Sequence, residues 1–296
     1  MTDQPLAAGQ LRVRVRAAGL NRADLLDARR SAGRPDGREL AGEIVEIGRH
    51  VEGWVLGERV MGRGPGFASE AVVPAGEVMR VPGSLSFEEG AALPVALMTM
   101  HDALTTNGLL APGGRVLMHA ASSGVGVIGV QLSAMLGAAV VFATSRSAAK
   151  LAVLRSHLGD LGCDLIGIDT SVTAFETVAT EVDVIVDNVG ASVLRGNVAA
   201  CRVGGRIVQV GRLGGGDAGI DLDELARKRI GLIGVTFRTR TGDDVVEIIR
   251  RLLADVGDRL DELRPRIERT YPLSQVETAL ADLATNSHVG KIVVTA

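Results

Sequence analysis

The residues best suited to chemistry lie between Gly114 and Lys150, where glycines at 124, 126 and 129 spell G-x-G-x-x-G. In a chain with 38 glycines the motif alone carries little weight, so its context must decide. Before it, Arg115–Ala120 is apolar without alternation, the pattern of a strand buried on both faces. After the small-residue turn Ala121–Gly126 comes a helical pattern carrying Val127, Ile128, Val130, Leu132 and Leu136, closed by Gly137, and then a second apolar strand at Ala139–Ala143. Small residues at Ala120 or Ala121, Ser123 and Gly126 let the backbone approach a phosphate, and the N–H groups of Gly124 and Val125 at the helix start bind the anion. This context favours a dinucleotide site. The alternative is a βαβ unit in which the glycines serve only close helix-to-sheet packing.

Which dinucleotide binds is read just after the second strand. An NAD site places Asp or Glu there for the ribose 2′-OH, whereas this chain has Thr144-Ser145-Arg146-Ser147, with Lys150 one turn on. Arg146 and Lys150 suit a 2′-phosphate, which predicts NADPH; solvated cations at a helix start are the alternative. Further on, Asn188 ends a fourth strand, Val210 and Gly211 end a fifth, and Phe237 with Arg238 follows a sixth. Strand C-termini line the cleft of a doubly wound sheet, so these residues are expected to border nicotinamide or ribose. Lys291, at the start of the last strand, either reaches that cleft or is a plain surface lysine.

Those residues need a scaffold, and 296 residues with 46 % apolar content supply one. Net charge is −3 with no basic block, which argues against nucleic acid or an anionic membrane as main partner. No leader or 18-residue apolar run is seen, so a cytoplasmic location is expected. Cys163 and Cys201 are too few for a disulfide framework and read as core. Residues 1–98 hold short strands punctuated by Gly and Pro, at 10–17, 40–47, 58–61, 67–73 and 77–81, with one short helix at 21–30; this predicts a small barrel-like β domain. Arg12, Arg14 and Arg16 alternate with apolar residues and read as solvated. Ser86 and Glu89 offer a capping box, and Pro94 breaks the chain between two helices. Across 99–238 strands and helices alternate, giving six buried strands in a doubly wound parallel sheet, hence the α/β class. Residues 239–296, with helical patterns at 243–256 and 271–283 and a strand at 291–295, are expected to return to the first domain.

This order, with Ala18–Asp24 (AGLNRAD), Glu89–Pro94, Pro112–Leu117, His119–Gly126, Asp187–Gly190, Phe237–Arg240 and His288–Ile292, resembles the medium-chain dehydrogenase/reductase superfamily. Within it the likeness is to the zinc-independent quinone oxidoreductases, the zeta-crystallin-like branch. The resemblance implies a Rossmann domain beside a GroES-like β-barrel, although relatives carry about thirty more residues ahead of Leu11. It supports Lys150 at the 2′-phosphate, and puts Asp169 where relatives often have a tyrosine on the cofactor. Neither Leu20–Asp24 nor Leu40–Glu43, the stretches matched to the zinc ligands of other members, contains Cys or His, so no metal site is expected. Without a Lewis acid the hydride acceptor must be electron-poor, a quinone or an α,β-unsaturated carbonyl. Asn21 is implied as a contact to nicotinamide and substrate, its amide facing the developing oxyanion, or else it simply turns the chain into the helix at Arg22. Thr99 is the matching candidate, or an ordinary helix threonine. No side chain stands out as general acid; His101 and His119 suit core or supporting roles, and water is the default proton source. The apolar edge 230–236 implies a homodimer. Besides an NADPH-dependent quinone or enone reductase, three readings remain: an enoyl-thioester reductase, a cofactor-binding protein with lost catalysis, and a methyltransferase, the last disfavoured by the missing acidic residue.

Overall fold

Strand β1 (Gln10–Gly19) organises the first part of the chain in a computed structural model that describes residues 5–30 and 35–296. Its alternation buries Leu11, Val13, Val15 and Ala17. After helix α1 (Arg22–Arg30) come β2 (Glu39–Ile47), β3 (Arg59–Arg63), β4 (Glu70–Pro74) and β5 (Val78–Arg80), all antiparallel to their sheet neighbours. Leu11, Val13 and Val15 pack with Leu40, Ile44, Val60 and Val73. Arg14 and Arg16 are exposed, but Arg12 is not: it is buried and pairs with Glu46 at 2.7 Å. Arg12 keeps its place in the alternation but stands directly across from Glu46 on β2, and that pairing covers it. Helix α2 (Phe87–Ala91) begins on the expected capping box, with Glu89 N–H on Ser86 Oγ at 3.2 Å and Ser86 N–H on the Glu89 carboxylate at 2.8 Å. Helix α3 (Pro94–Asp102) takes Pro94 as its first residue, where a missing N–H costs nothing, and runs into a π-helical turn at Ala103–Asn107.

The Rossmann part alternates β6 (Arg115–Met118), α4 (Gly124–Met135), β7 (Val140–Ser145), α5 (Ala148–Leu158), β8 (Asp164–Asp169), β9 (Val182–Asp187), α6 (Leu194–Ala200), β10 (Cys201–Gln209), α7 (Leu222–Lys228) and β11 (Gly231–Gly234). All six strands are parallel, in the order β11-β10-β9-β6-β7-β8. The order reverses between β6 and β9, and ligands bind at such a switch point, beyond the strand C-termini. Leu117, Phe142, Ile185 and Ile207 form the heart of this sheet's core. β6, β7 and β9 are buried as expected, but β10 is exposed at Arg202–Gly204, and β8 and β11 are border strands with mostly exposed or half-exposed residues. Cys201 is buried, whereas Cys163 lies in the loop before β8 and is only half-buried, which corrects its assignment to the core.

Helix α8 (Gly242–Val256) carries Val245, Ile249 and Leu252 on its buried face. Next is β12 (Ile267–Pro272), a strand that takes Tyr271 out of the expected helix; α9 (Val276–Thr285) begins only after it. The β-favouring Arg-Thr-Tyr run ends at Pro272, and it pairs in parallel with β13 (Lys291–Thr295). β13 lies antiparallel to β1 at Ala17–Gly19, so the return segment completes the first sheet. Two compact units result: residues 1–96 with 242–251 and 258–296, and residues 97–241 with 252–257.

Candidate functional site

In the second unit the chain leaves β6 through Ala120, held in the left-handed region at φ 51°. Ser123 then caps α4, its Oγ accepting from Gly126 N–H at 3.1 Å. A Cβ on Gly126 would lie 2.7 Å from Ala121 Cα and closer still to the Ala120 carbonyl, so only glycine fits. Among the described residues neither Gly124 N–H nor Val125 N–H has an acceptor. Two open amides thus stand at the N-terminus of a twelve-residue helix, where an anion such as a pyrophosphate could be held.

Next to this turn, Ala121 N–H bonds the Thr144 carbonyl at 2.9 Å, and Ser122 Oγ lies 3.4 Å from the buried Ser145 Oγ. That places Ser145 at the turn, with Arg146 directly after it and Lys150 in the first turn of α5. Asn188, Val210 and Gly211 are brought together on the neighbouring strands. Val210 and Gly211 both donate to the Asp187 carbonyl, and a Cβ on Gly211 would sit 2.7 Å from the Asn188 carbonyl carbon. Phe237 is half-buried with the Arg240 guanidinium 5.7 Å from its ring, and Arg238 is exposed. Thr99 is half-buried, and its hydroxyl has no partner among the described residues.

A chain of buried polar groups that sequence reading missed backs the turn. Thr144 Oγ1 lies 2.9 Å from His119 Nδ1, His119 Nε2 lies 2.7 Å from Asn197 Oδ1, and Asn197 Nδ2 donates to Asp187 at 3.0 Å. A carboxylate only accepts, so the Asn197 amide must turn its NH2 to Asp187 and its oxygen to His119. His119 therefore carries its proton on Nε2 and receives the Thr144 hydroxyl on Nδ1. Burial pushes its pKa below the ordinary histidine value and keeps it neutral. The other Asp187 oxygen accepts from Val189 and Gly190 N–H at 2.8 and 2.7 Å, and Asn188 Nδ2 bonds the His119 carbonyl at 3.0 Å, so the β6 and β9 ends are tied together. Only His119 was visible as a candidate, by residue type.

In the first unit, Asn21 and Lys291 belong to a second buried cluster. The Lys291 ammonium pairs with Glu39 and donates to Asn21 Oδ1 at 2.7 Å; Asn21 Nδ2 donates to Glu39 at 2.8 Å. Glu39 also accepts from Val95 N–H at 2.8 Å. Asn21 Nδ2 has only a 3.4 Å contact to the Gly19 carbonyl besides, so the amide is engaged at both ends within its own unit. Lys291 is thus no surface lysine. Asp24 completes the group: its Oδ2 accepts from Asn21 N–H at 2.7 Å, and its Oδ1 faces Arg38 at 3.6 Å. Burial pushes the Asp24 carboxyl up to about 6, with the nearby Glu39 charge adding to the rise. The Asn-x-x-Asp spacing at 21–24 is a capping-box pattern and was the signal available for Asp24; nothing local marks Glu39.

Residues 7–83 match the alcohol dehydrogenase GroES-like domain, and residues 161–294 match the family described as zinc-binding dehydrogenase. The chain belongs to the medium-chain dehydrogenase/reductase superfamily. It is an oxidoreductase of that superfamily, whose members bind NAD(P). Over 297 residues, 98 % of the chain, it is 35 % identical to the polyketide synthase GfsB of Streptomyces halstedii, of which it spans only 5 %. Among solved structures, JamJ enoyl reductase is 25 % identical with a TM-score of 0.81, covering 100 % of this chain and 93 % of that one. A 2-haloacrylate reductase gives 25 % identity and 0.81 as well, covering 100 % and 94 %. The superfamily includes zinc enzymes, yet among the described residues no three His, Cys, Asp or Glu side chains are grouped to hold a metal ion.

Proposed function

We propose that the chain is an NADPH-dependent, zinc-independent enoyl-thioester reductase, delivering hydride to the β-carbon of a double bond conjugated to a thioester carbonyl. The observation that carries this reading is the match of 98 % of the chain to a stretch of a polyketide synthase. The solved relatives named for enoyl and acrylate reduction support the same substrate class, and the quinone or simple enone reading becomes the alternative. When bound, the cofactor supplies the hydride. The open N–H groups of Gly124 and Val125 hold its pyrophosphate, Ser145, Arg146 and Lys150 meet its 2′-phosphate, and the Asn188, Gly211 and Phe237 region borders the ribose and nicotinamide. Thr99 is the better donor to the carbonyl oxygen as negative charge develops, because its hydroxyl has no partner among the described residues while the Asn21 amide is engaged by Glu39 and Lys291. Asn21 then acts through its own rigid placement. Water delivers the proton to the α-carbon.

The test follows NADPH absorbance with a crotonyl thioester of pantetheine, with 1,4-benzoquinone, and with no acceptor, beside Arg146→Ala and Lys150→Ala. The expected result is kcat/KM at least about tenfold higher for the thioester, with both substitutions raising the NADPH KM about tenfold or more. Preference for the quinone would overturn the substrate class. Insensitivity to both substitutions would overturn the 2′-phosphate site.

A further inference from the structure

Asp169 is the last residue of β8 and pairs in register with Ser145, the last residue of β7. Its side chain is built into the start of α5. One carboxylate oxygen accepts Ala148 N–H at 2.9 Å, and the other accepts Ser171 N–H at 2.9 Å and Ser171 Oγ–H at 2.7 Å. The Ser171 hydroxyl, with these backbone donors, holds the carboxyl below the usual aspartate range, so it is anionic at neutral pH. Of the first-turn amides of α5, Ala148 N–H is taken by Asp169 and Lys150 N–H by Ser147 Oγ at 3.3 Å. A phosphate arriving here meets the side chains of Arg146 and Lys150 at a helix end with only Ala149 N–H left open among the described first-turn amides, and it meets them beside a fixed negative charge.

We propose that Asp169 is a cofactor-specificity residue, whose carboxylate opposes the 2′-phosphate and narrows the preference for NADPH over NADH. This rests on the 2′-phosphate reading of Arg146 and Lys150. The ribose 2′-OH of NADH carries no charge and feels no such opposition. The site thus combines two cations that favour NADPH, in the loop after β7 and in α5, with one anion at the end of β8 that disfavours it. Because the carboxylate is solvent-facing, screening limits its effect to about three- to tenfold.

Reduced-nicotinamide fluorescence titration measures Kd for NADPH and NADH without any substrate. With Asp169→Asn, which keeps an acceptor for Ala148 N–H, the Kd for NADPH should fall about three- to tenfold while that for NADH stays within about twofold. Asp169→Ser, shorter and also neutral, should shift the ratio in the same direction. Raising salt from 50 to 500 mM should shrink the difference between wild type and variant. An unchanged NADPH-to-NADH ratio in both variants, or parallel changes for the two cofactors, would make Asp169 a structural cap only. Arg146→Ala and Lys150→Ala test the underlying reading separately: if neither weakens NADPH, the 2′-phosphate site is wrong and the proposal falls with it. If they weaken NADPH while the Asp169 variants leave the ratio unchanged, only the proposal falls.

Discussion

Replacing Lys291 by Met should destabilise the first unit by about 3 kcal/mol. The Lys291 and Glu39 side chains are 5 % and 0 % exposed, and removing one partner of a buried pair typically costs about 3–5 kcal/mol because the other charge is left without compensation. The lower end applies here, since Glu39 keeps the Asn21 amide and Val95 N–H as donors, both at 2.8 Å. The single tryptophan, Trp54, lies in this unit with the Arg80 guanidinium 4.5 Å from its ring, so its fluorescence reports the unfolding of the correct part of the molecule. With a urea slope of about 2 kcal/mol per M, the midpoint should drop by about 1.5 M. Adding Glu39→Gln removes the stranded charge, and the double variant should recover to within about 1 kcal/mol of wild type, a gain of about 2 kcal/mol over Lys291→Met alone. A loss below about 1 kcal/mol for Lys291→Met, or a double variant no more stable than the single, would refute this account of the pair.

Asp24 makes stability depend on pH in an unusual direction. Its folded carboxyl titrates near 6 and its unfolded one near 3.8, so between those values the folded state holds a proton that the unfolded chain has released. Stability from this group is greatest below pH 4 and is lost as pH rises through 6, by roughly 3 kcal/mol in all. Asp24→Asn keeps the acceptor for Asn21 N–H, and its stability advantage over wild type should grow between pH 4.5 and 7 in urea unfolding; a constant advantage would contradict the shift. Gly126→Ala should weaken NADPH at least about tenfold in fluorescence titration, since the new methyl group must force the turn away from α4 and displace the two open amides. An unaltered Kd would show that the cradle lies elsewhere.

Local signals in the sequence were read correctly wherever the cause is local. The Ser86–Glu89 capping box, Pro94 as the break between two helices and the six-strand alternation all follow from propensity, spacing and periodicity over a few residues. What was missed depends on tertiary partners. Arg12 fits a half-wet strand in its own sequence, and only the Glu46 carboxylate across from it on β2 covers it. Glu39 is separated from Lys291 by 252 residues, and the apolar residues around each give no hint of the other. Likewise Asn197 reaches His119 from a helix 78 residues away. The β12 strand was misread because its residues gain their pairing only from β13.

The position of β13 bears on how the molecule is made. Residues 97–241 form nearly all of the second unit, so its sheet is complete once a single uninterrupted stretch of chain has been synthesised. The first unit needs β13 against β1 and Lys291 against Glu39, and neither can form until β13 emerges. At ordinary elongation rates the interval between Ala96 and Lys291 lasts on the order of 10 to 40 s. Throughout that time Glu39 lacks its ammonium partner and the β1 edge at Ala17–Gly19 stands open. The half of the molecule synthesised first is therefore the half that finishes folding last.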